Sequence, residues 1–393
     1  MDLPLPYLSQ ETLPLEQQVA RLQALLEATR QIHSTILPDE VMDRTAQILV
    51  RELEMEGALF LSPSQKLMSK IWGQMPAEPF EGCRRFPLLS KENQVLAELV
   101  LATPPDGSFS LYEQDFVEGL VLQAAVALEN ATLHERDLHW ARVQQDLDAA
   151  RRIQRSLLPR SMPEIESYSI AGQSSTCYEV GGDYMDTLTL PDGSELMLVA
   201  DVAGKGLASA IVATSFRAAF RSLASQPMPL KELVSRIGQQ HWDEGTEAQR
   251  RYVTAIFVRL DAKSGEVEVV NAGHNPGALV LPDGTLRTLD ASGTPLGMLP
   301  GMVYAAETFP FPPGARILLY TDGLTEVFQG DDEFGTDRLM EAFRDHSSPQ
   351  ASDVLDTLWK TLAVFSDGAP QTDDMTALAI YRLDSSLQEH AAS

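Results

Sequence analysis

A chain of 393 residues, 22% charged and 44% hydrophobic, has the composition of a folded globular protein and more length than one ordinary domain needs. Its formal net charge of −26 argues against nucleic acid and against an anionic membrane surface, since both select basic proteins; it is compatible with divalent cations. The two cysteines, Cys83 and Cys177, can build no disulfide framework and have no metal-ligand spacing, so a reducing, cytoplasmic compartment is expected.

The opening "MDLPLPYLSQETLPLE" has no basic region followed by an apolar one, so no signal peptide is expected. "LEQQVARLQALLEATRQIHSTI" and Pro38 to Glu54 carry apolar residues at helical spacing. "GALFLSP" and "NQVLAELVLAT" read as strands separated by polar and Pro-containing turns. "SLYEQDFVEGLVLQAAVALENA" closes the section as a long amphipathic helix, and Glu118, Gln123 and Glu129 within it argue against a membrane span. Helix, sheet and helix make a first α+β module at residues 15–132. On the opening helix with "LPDEVMDRTAQILV", on "GALFL" and on "YEQDFVEGLVLQAAVALENATL", this module resembles the GAF family. The resemblance implies a sensor with a small-molecule ligand or a module used only for dimerisation; no motif marks cyclic-nucleotide binding, and Cys83 is not in a chromophore-attachment context.

A connector follows at residues 133–160. Trp140, Val143, Leu147, Ala150, Gln154 and Leu157 are spaced 3, 4, 3, 4, 3, a heptad seam with one polar position, so a parallel coiled coil in a homodimer is expected, a packed amphipathic helix being the alternative. Pro159 and Pro163 end it.

The last section, residues 164–384, alternates strands with hairpin turns such as "LPDGS", "DAKSGE" and "LPDGT". Helices are expected at Leu207 to Ser225, Pro229 to Trp242 and within Arg338 to Phe365. The pattern predicts antiparallel sheets packed together and covered by helices, again α+β.

Carboxylates recur at the ends of core-like strands in this section. Asp201 ends "ELMLVADV", Asp322 follows "ARILLYT", Asp373 and Asp374 precede "MTALAIYRL", and Asp183 follows two glycines in "YEVGGDYMDTL". A lone buried carboxylate is unfavourable, and clustered carboxylates raise one another's pKa; divalent cations reverse both penalties. Oxygen-only donors favour Mg²⁺ or Mn²⁺ over zinc. Two such ions could lower the pKa of a shared water and clamp a phosphoryl group for in-line attack. Asp201, ending a central strand, is placed to bridge both ions. Any one Asp-Gly after a strand is ordinarily a turn, and "GKG" lacks the full phosphate-loop spacing; the force lies in the joint, ordered occurrence. That joint pattern is carried by "AARRIQRSLLP", "EVGGDYMDTL", "LMLVADVAGKGLASAIVA", "YVTAIFVRLDAKSGEVEVVNAGHNP", "GTPLGM", "LLYTDGLTEV", "FGTDRL" and "DDMTALAI". It resembles the SpoIIE-like branch of the metal-dependent type 2C protein serine/threonine phosphatases, from Ala149 to about Leu383.

The resemblance implies a phosphatase β-sandwich with two central Mn²⁺ or Mg²⁺ ions. It implies ligation by Asp183, Asp201, Asp322 and Asp373 with the Val202 carbonyl, Asp374 being the alternative to Asp373. It also implies a phosphorylated protein substrate, an anti-sigma-factor antagonist of the STAS type, with "AARRIQRSLLP" as the switch between sensor and phosphatase. His274 in "NAGHNP" reads as structural in preference to catalytic, and Cys177 as a small core residue. Glu179 is a further candidate near the metals; Lys205 could meet phosphate or cap a helix. A phosphoprotein-binding scaffold without turnover is the alternative from another class. A nuclease is disfavoured by the acidic surface, and nothing suggests the purine pocket of a cyclase.

Overall fold

The computed structural model describes residues 15–61, 71–78, 80–103 and 110–384. The opening segment as far as Pro14 and the Ser62-Pro63 end of the first expected strand lie outside them. The chain divides into two compact units, 1–144 and 145–393.

The first unit contains α1 (Leu15–Ile32), α2 (Pro38–Glu52), β1 (Gly57–Leu61), β2 (Trp72–Gly73), β3 (Arg84–Leu89), β4 (Val95–Ala102) and the first part of α3 (Leu111–Leu157). The strands form one antiparallel sheet in the order β2-β1-β4-β3. Strand β3 was not anticipated, because its alternation is weak and Pro87 lies within it. The core joins Val41, Leu49, Phe60, Leu99, Val117 and Leu120 from helices and sheet alike. By length and composition alone α3 could cross a membrane, but half of its most apolar window is buried in the protein, as in a core helix. Helix α3 runs unbroken for 47 residues, so the expected connector begins inside the helix that closes the first module.

The second unit opens with β5 (Tyr168–Ser175), β6 (Tyr184–Thr189), β7 (Glu195–Val202), α4 (Leu207–Ala224), α5 (Leu230–Asp243) and α6 (Thr246–Gln249). It continues through β8 (Val253–Asp261), β9 (Glu266–Ala272), β10 (Gly277–Val280), β11 (Leu286–Leu289), β12 (Glu307–Pro310) and β13 (Arg316–Tyr320). A 3₁₀ turn at Asp322–Leu324, the short pair β14 (Phe328–Gln329) and β15 (Asp332–Glu333), α7 (Gly335–Asp345), α8 (Ala351–Ser366) and β16 (Met375–Arg382) complete it. Two five-stranded antiparallel sheets result, with orders β11-β10-β13-β16-β5 and β12-β9-β8-β7-β6.

Side-chain alternation along each strand sorts residues between layers. In β7, Met197 and Val199 join the core between the sheets, while Leu196, Leu198, Ala200 and Val202 pack under α4 and α5. In β13, Ile317 and Leu319 point between the sheets, and Leu318 and Tyr320 pack under α7 and α8. In β16, Leu378 and Ile380 face inward and Ala377 and Ala379 outward. The result is a sandwich with helices on both outer faces. The same period of two puts Asp201, Thr321 and Thr376 on the inter-sheet side at the strand ends, where the apolar filling stops.

Candidate metal centre at the end of the sandwich

Five carboxylates gather where the inter-sheet core ends. Asp183 precedes β6 and Asp201 lies in β7, on neighbouring strands whose register pairs Tyr184 with Ala200. Asp322 follows β13, and Asp373 and Asp374 precede β16, strands of the facing sheet whose register pairs Tyr320 with Ala377. Both sheets therefore contribute, and the carboxylates feel one another. Burial, then the Asp322, Asp373 and Asp374 charges, push Asp201 up to about 7. Burial and the Asp201 charge hold Asp183 well above the usual carboxylate range. Asp322 is raised by burial and by Asp373, and Glu326 by burial, Asp322 and Asp373. A site that disfavours its own negative charge is a site for cations.

The close approach depends on two glycines. A Cβ at Gly182 would stand 2.8 Å from the Val202 carbonyl oxygen and 3.2 Å from Asp201 Oδ1, so only glycine leaves both oxygens open on that side. A Cβ at Gly323 would collide with the Asp374 backbone carbonyl.

Three of the carboxylates also have partners within the protein. Thr321 Oγ1 donates to Asp183 Oδ2 at 2.7 Å and accepts the Thr376 backbone N–H at 2.9 Å. Asp373 Oδ2 meets Lys205 Nζ at 2.7 Å, and the same ammonium donates to the Thr372 carbonyl at 2.8 Å. Asp374 accepts the backbone N–H of Cys177 on Oδ1 and of Gly182 on Oδ2, both at 2.8 Å. With side chains held this way, among the described residues no three Asp, Glu, His or Cys converge closely enough to grip one ion as they stand. The donors nevertheless fit hard divalent ions in kind: carboxylate and carbonyl oxygens, mutually repelling, beside a cradle that a Cβ would fill. Of the two aspartates left open by sequence, Asp374 has a backbone amide on each oxygen, whereas Asp373 has the Asp374 N–H on Oδ1 at 2.8 Å and the half-exposed Lys205 on Oδ2.

His274 is buried in the frame of the site. Its Nε2 donates to the Tyr320 carbonyl at 3.0 Å, which can only accept; Nδ1 is then the acceptor for the Thr254 hydroxyl at 2.8 Å. Thr254 belongs to β8 and Tyr320 to β13, so the ring ties the two sheets together. Burial lowers its pKa to about 4, so it stays neutral, the condition a structural role requires. Cys177 is raised by burial and by the Asp374 charge, and its thiol donates to the Gln371 carbonyl at 3.0 Å, which argues against a thiolate. Glu179 is half-buried in the loop before Gly181.

Three features were not anticipated. Thr321 is the anchor of Asp183; its only sequence signal is its place before Asp322. Asp186 is fully buried under α4, where Arg221 grips it through Nε at 2.7 Å and Nη2 at 2.6 Å, with the Tyr184 hydroxyl and the Thr187 N–H as further donors. The carboxylate three residues after Asp183 thus fixes β6 to the covering helix. Gln154, near the end of α3, donates to the Gly181 carbonyl at 2.6 Å and accepts the Gly181 N–H at 3.2 Å, holding the loop that carries Asp183.

Residues 191–383 match the family model described as Stage II sporulation protein E (SpoIIE). That stretch of the second unit is similar to the SpoIIE family. Protein IcfG of Synechocystis is 26% identical over 263 residues, 60% of this chain and 41% of that protein, so the chain spans less than half of that relative. The phosphoserine phosphatase RsbU of Bacillus subtilis is 24% identical over 348 residues, 87% of this chain and 98% of that protein. The SiaA-PP2C domain of Pseudomonas aeruginosa superposes with a TM-score of 0.55 at 24% identity, covering 63% of this chain and 99% of that domain. That likeness concerns the fold alone: the second unit has the two-sheet sandwich fold of that domain.

Proposed function

We propose that this protein is a metal-dependent protein serine/threonine phosphatase. The observation that carries the reading is the gathering of strand-end carboxylates from both sheets at one end of the sandwich, with pKa values raised by burial and by one another's charges. Asp183, Asp201, Asp322, Asp373 and the Val202 carbonyl would hold two Mn²⁺ or Mg²⁺ ions, which when bound supply an ionised water and countercharge for phosphoryl oxygens. Asp201, next to last in β7, feels the charges of Asp322, Asp373 and Asp374 from the facing sheet, which supports a bridging role for it. Thr321 orients Asp183, and Asp374 pins the Cys177–Gly182 loop to the start of β16. Lys205, half-exposed at the rim, offers positive charge to an incoming phosphate dianion. Water, not a protein side chain, is the nucleophile in this reading, since Cys177 is kept as a thiol.

The substrate we propose is phosphoserine or phosphothreonine on a partner protein, of the STAS-type antagonist class that the family resemblance implies. The first unit serves as a GAF-like sensor or dimerisation module, with a small-molecule ligand or none. Helix α3 continues it into the second unit, and the paired Gln154–Gly181 hydrogen bonds support a route from that helix to the Asp183 loop. The exposed Trp140 of the heptad seam suits a homodimeric coil.

The test is hydrolysis of phosphoserine substrates by the full chain with Mn²⁺ or Mg²⁺. Turnover that disappears in chelator and in Asp201→Asn is expected. Activity that survives that substitution rejects the assignment, and a wild-type protein that binds phosphoprotein without turnover favours the scaffold.

A further inference from the structure

Beside the carboxylates lies a cavity of about 200 Å³ between α8, the β14 strand and the loop leading to β16. It shares its walls with the candidate centre. Gly323 follows Asp322, and Thr372 precedes Asp373, so two of the loops that carry the acids also line the cavity. Neighbouring Cα atoms are about 3.8 Å apart, so two stretches of backbone border both the cavity and the acids.

Its chemistry is unlike the rest of this acidic chain, because none of its lining residues is charged. Trp359, Leu362, Met375, Val327 and the part-exposed Phe328 supply apolar surface. The polar side chains on the wall already have partners within the protein. Gln371 donates to the carbonyls of Ser175 and Asp373, at 2.9 and 2.6 Å, and accepts from the Ser175 hydroxyl. Thr372 donates to the Glu326 carbonyl at 2.9 Å, and Ser366 to that of Ala363 at 3.1 Å. What remains for an occupant is apolar contact, and a charged group placed there would lose water without gaining a partner.

We infer that this cavity is a specificity pocket that takes an apolar side chain of the phosphorylated protein, one to three residues from the phosphorylated position. The inference rests on the phosphatase reading of the adjacent centre. An extended peptide advances about 3.3–3.6 Å per residue, so a phosphoryl group over the acids delivers a residue of that spacing to the cavity mouth. Tryptophan and methionine in the lining fit large aliphatic side chains of varied shape.

The experiment uses the full chain with Mn²⁺ and two kinds of substrate. One is a set of phosphoserine peptides with Leu, Ala or Asp at each of the three positions on either side. The other is p-nitrophenyl phosphate, which has no flanking residue. At one or more positions, Leu peptides should exceed Asp peptides in kcat/KM by about tenfold or more, the discrimination an apolar pocket supplies. Ala363→Phe, which fills the pocket from an exposed position on α8, should erase the preference and leave p-nitrophenyl phosphate turnover within about twofold. Ala369→Phe, from the loop side, repeats the test should the first variant fold poorly. A wild-type enzyme indifferent to flanking residues, or a preference untouched by both variants, overturns the pocket. Hydrolysis of neither substrate kind overturns the phosphatase reading itself, and the pocket with it.

Discussion

Replacing Arg221 with Met isolates what the buried ion pair beside the candidate centre contributes. Asp186 is 0% exposed, while the Arg221 side chain is 36% exposed and meets both carboxylate oxygens. Methionine keeps most of the volume and removes the charge, leaving a carboxylate under α4 with only the Tyr184 hydroxyl and the Thr187 N–H. Breaking a buried pair from one side costs about 3–5 kcal/mol. The partial exposure of Arg221 and the two surviving hydrogen bonds place this case near the lower end, about 3 kcal/mol. Against a typical domain stability of about 5–15 kcal/mol that is a large fraction. With a urea slope of about 2–3 kcal/mol per molar, the midpoint should fall by roughly 1–1.5 M. Urea titration read by hydrogen exchange of β6 and α4 amides confines the measurement to the second unit. Asp186→Leu combined with Arg221→Met should recover most of the loss, because no buried charge is stranded. A single variant within about 0.5 kcal/mol of wild type, or a double variant no better than the single, refutes the reasoning.

Asp201→Asn should separate function from stability. Activity should fall by more than about a hundredfold, since even partners behind a ligand are worth 10–100-fold, while in chelator the variant should melt no lower than wild type because a repelled carboxylate has been neutralised; a clearly lower melting temperature contradicts the mutual repulsion. His274 has a folded pKa of about 4 against about 6.5 unfolded, so its contribution is complete above pH 6.5 and is lost as pH falls toward 4. Wild type should lose about 3 kcal/mol relative to His274→Gln over that window in urea titrations; parallel curves would falsify the buried neutral ring. Ala150→Pro places a break of about 3 kcal/mol inside α3, four residues before Gln154. It should change both the oligomeric state in light scattering and the specific activity, and two unchanged values dismiss the helix as a route of control.

The sequence alone was enough for the long strands, because the near-continuous apolar runs in "ELMLVADV", "ARILLYTDG" and "MTALAIYRL" are imposed by burial on both faces of a sheet. Hairpin turns, the helices of the second unit and the acids at strand ends followed from the same local chemistry. It could also separate His274 from the reactive groups, since a histidine between strands is more often held than used. Weak or short strands stayed hidden: β3 carries a proline, and β12, β14 and β15 are too brief to show a period.

Only the tertiary structure decided which acid does what. Asp183, Asp186, Asp373 and Asp374 look alike in one dimension, as carboxylates near glycines and strands. Folding gives Asp374 two backbone amides, Asp186 an arginine from α4, Asp183 a threonine from the facing sheet and Asp373 a lysine at the rim. Those partners come from 35 to 197 residues away or across a loop, and no local pattern encodes a contact whose two halves are set by sheet order and register. The pocket beside the acids has the same origin: its apolar character arises because distant polar groups meet and satisfy one another, which only the folded chain brings about.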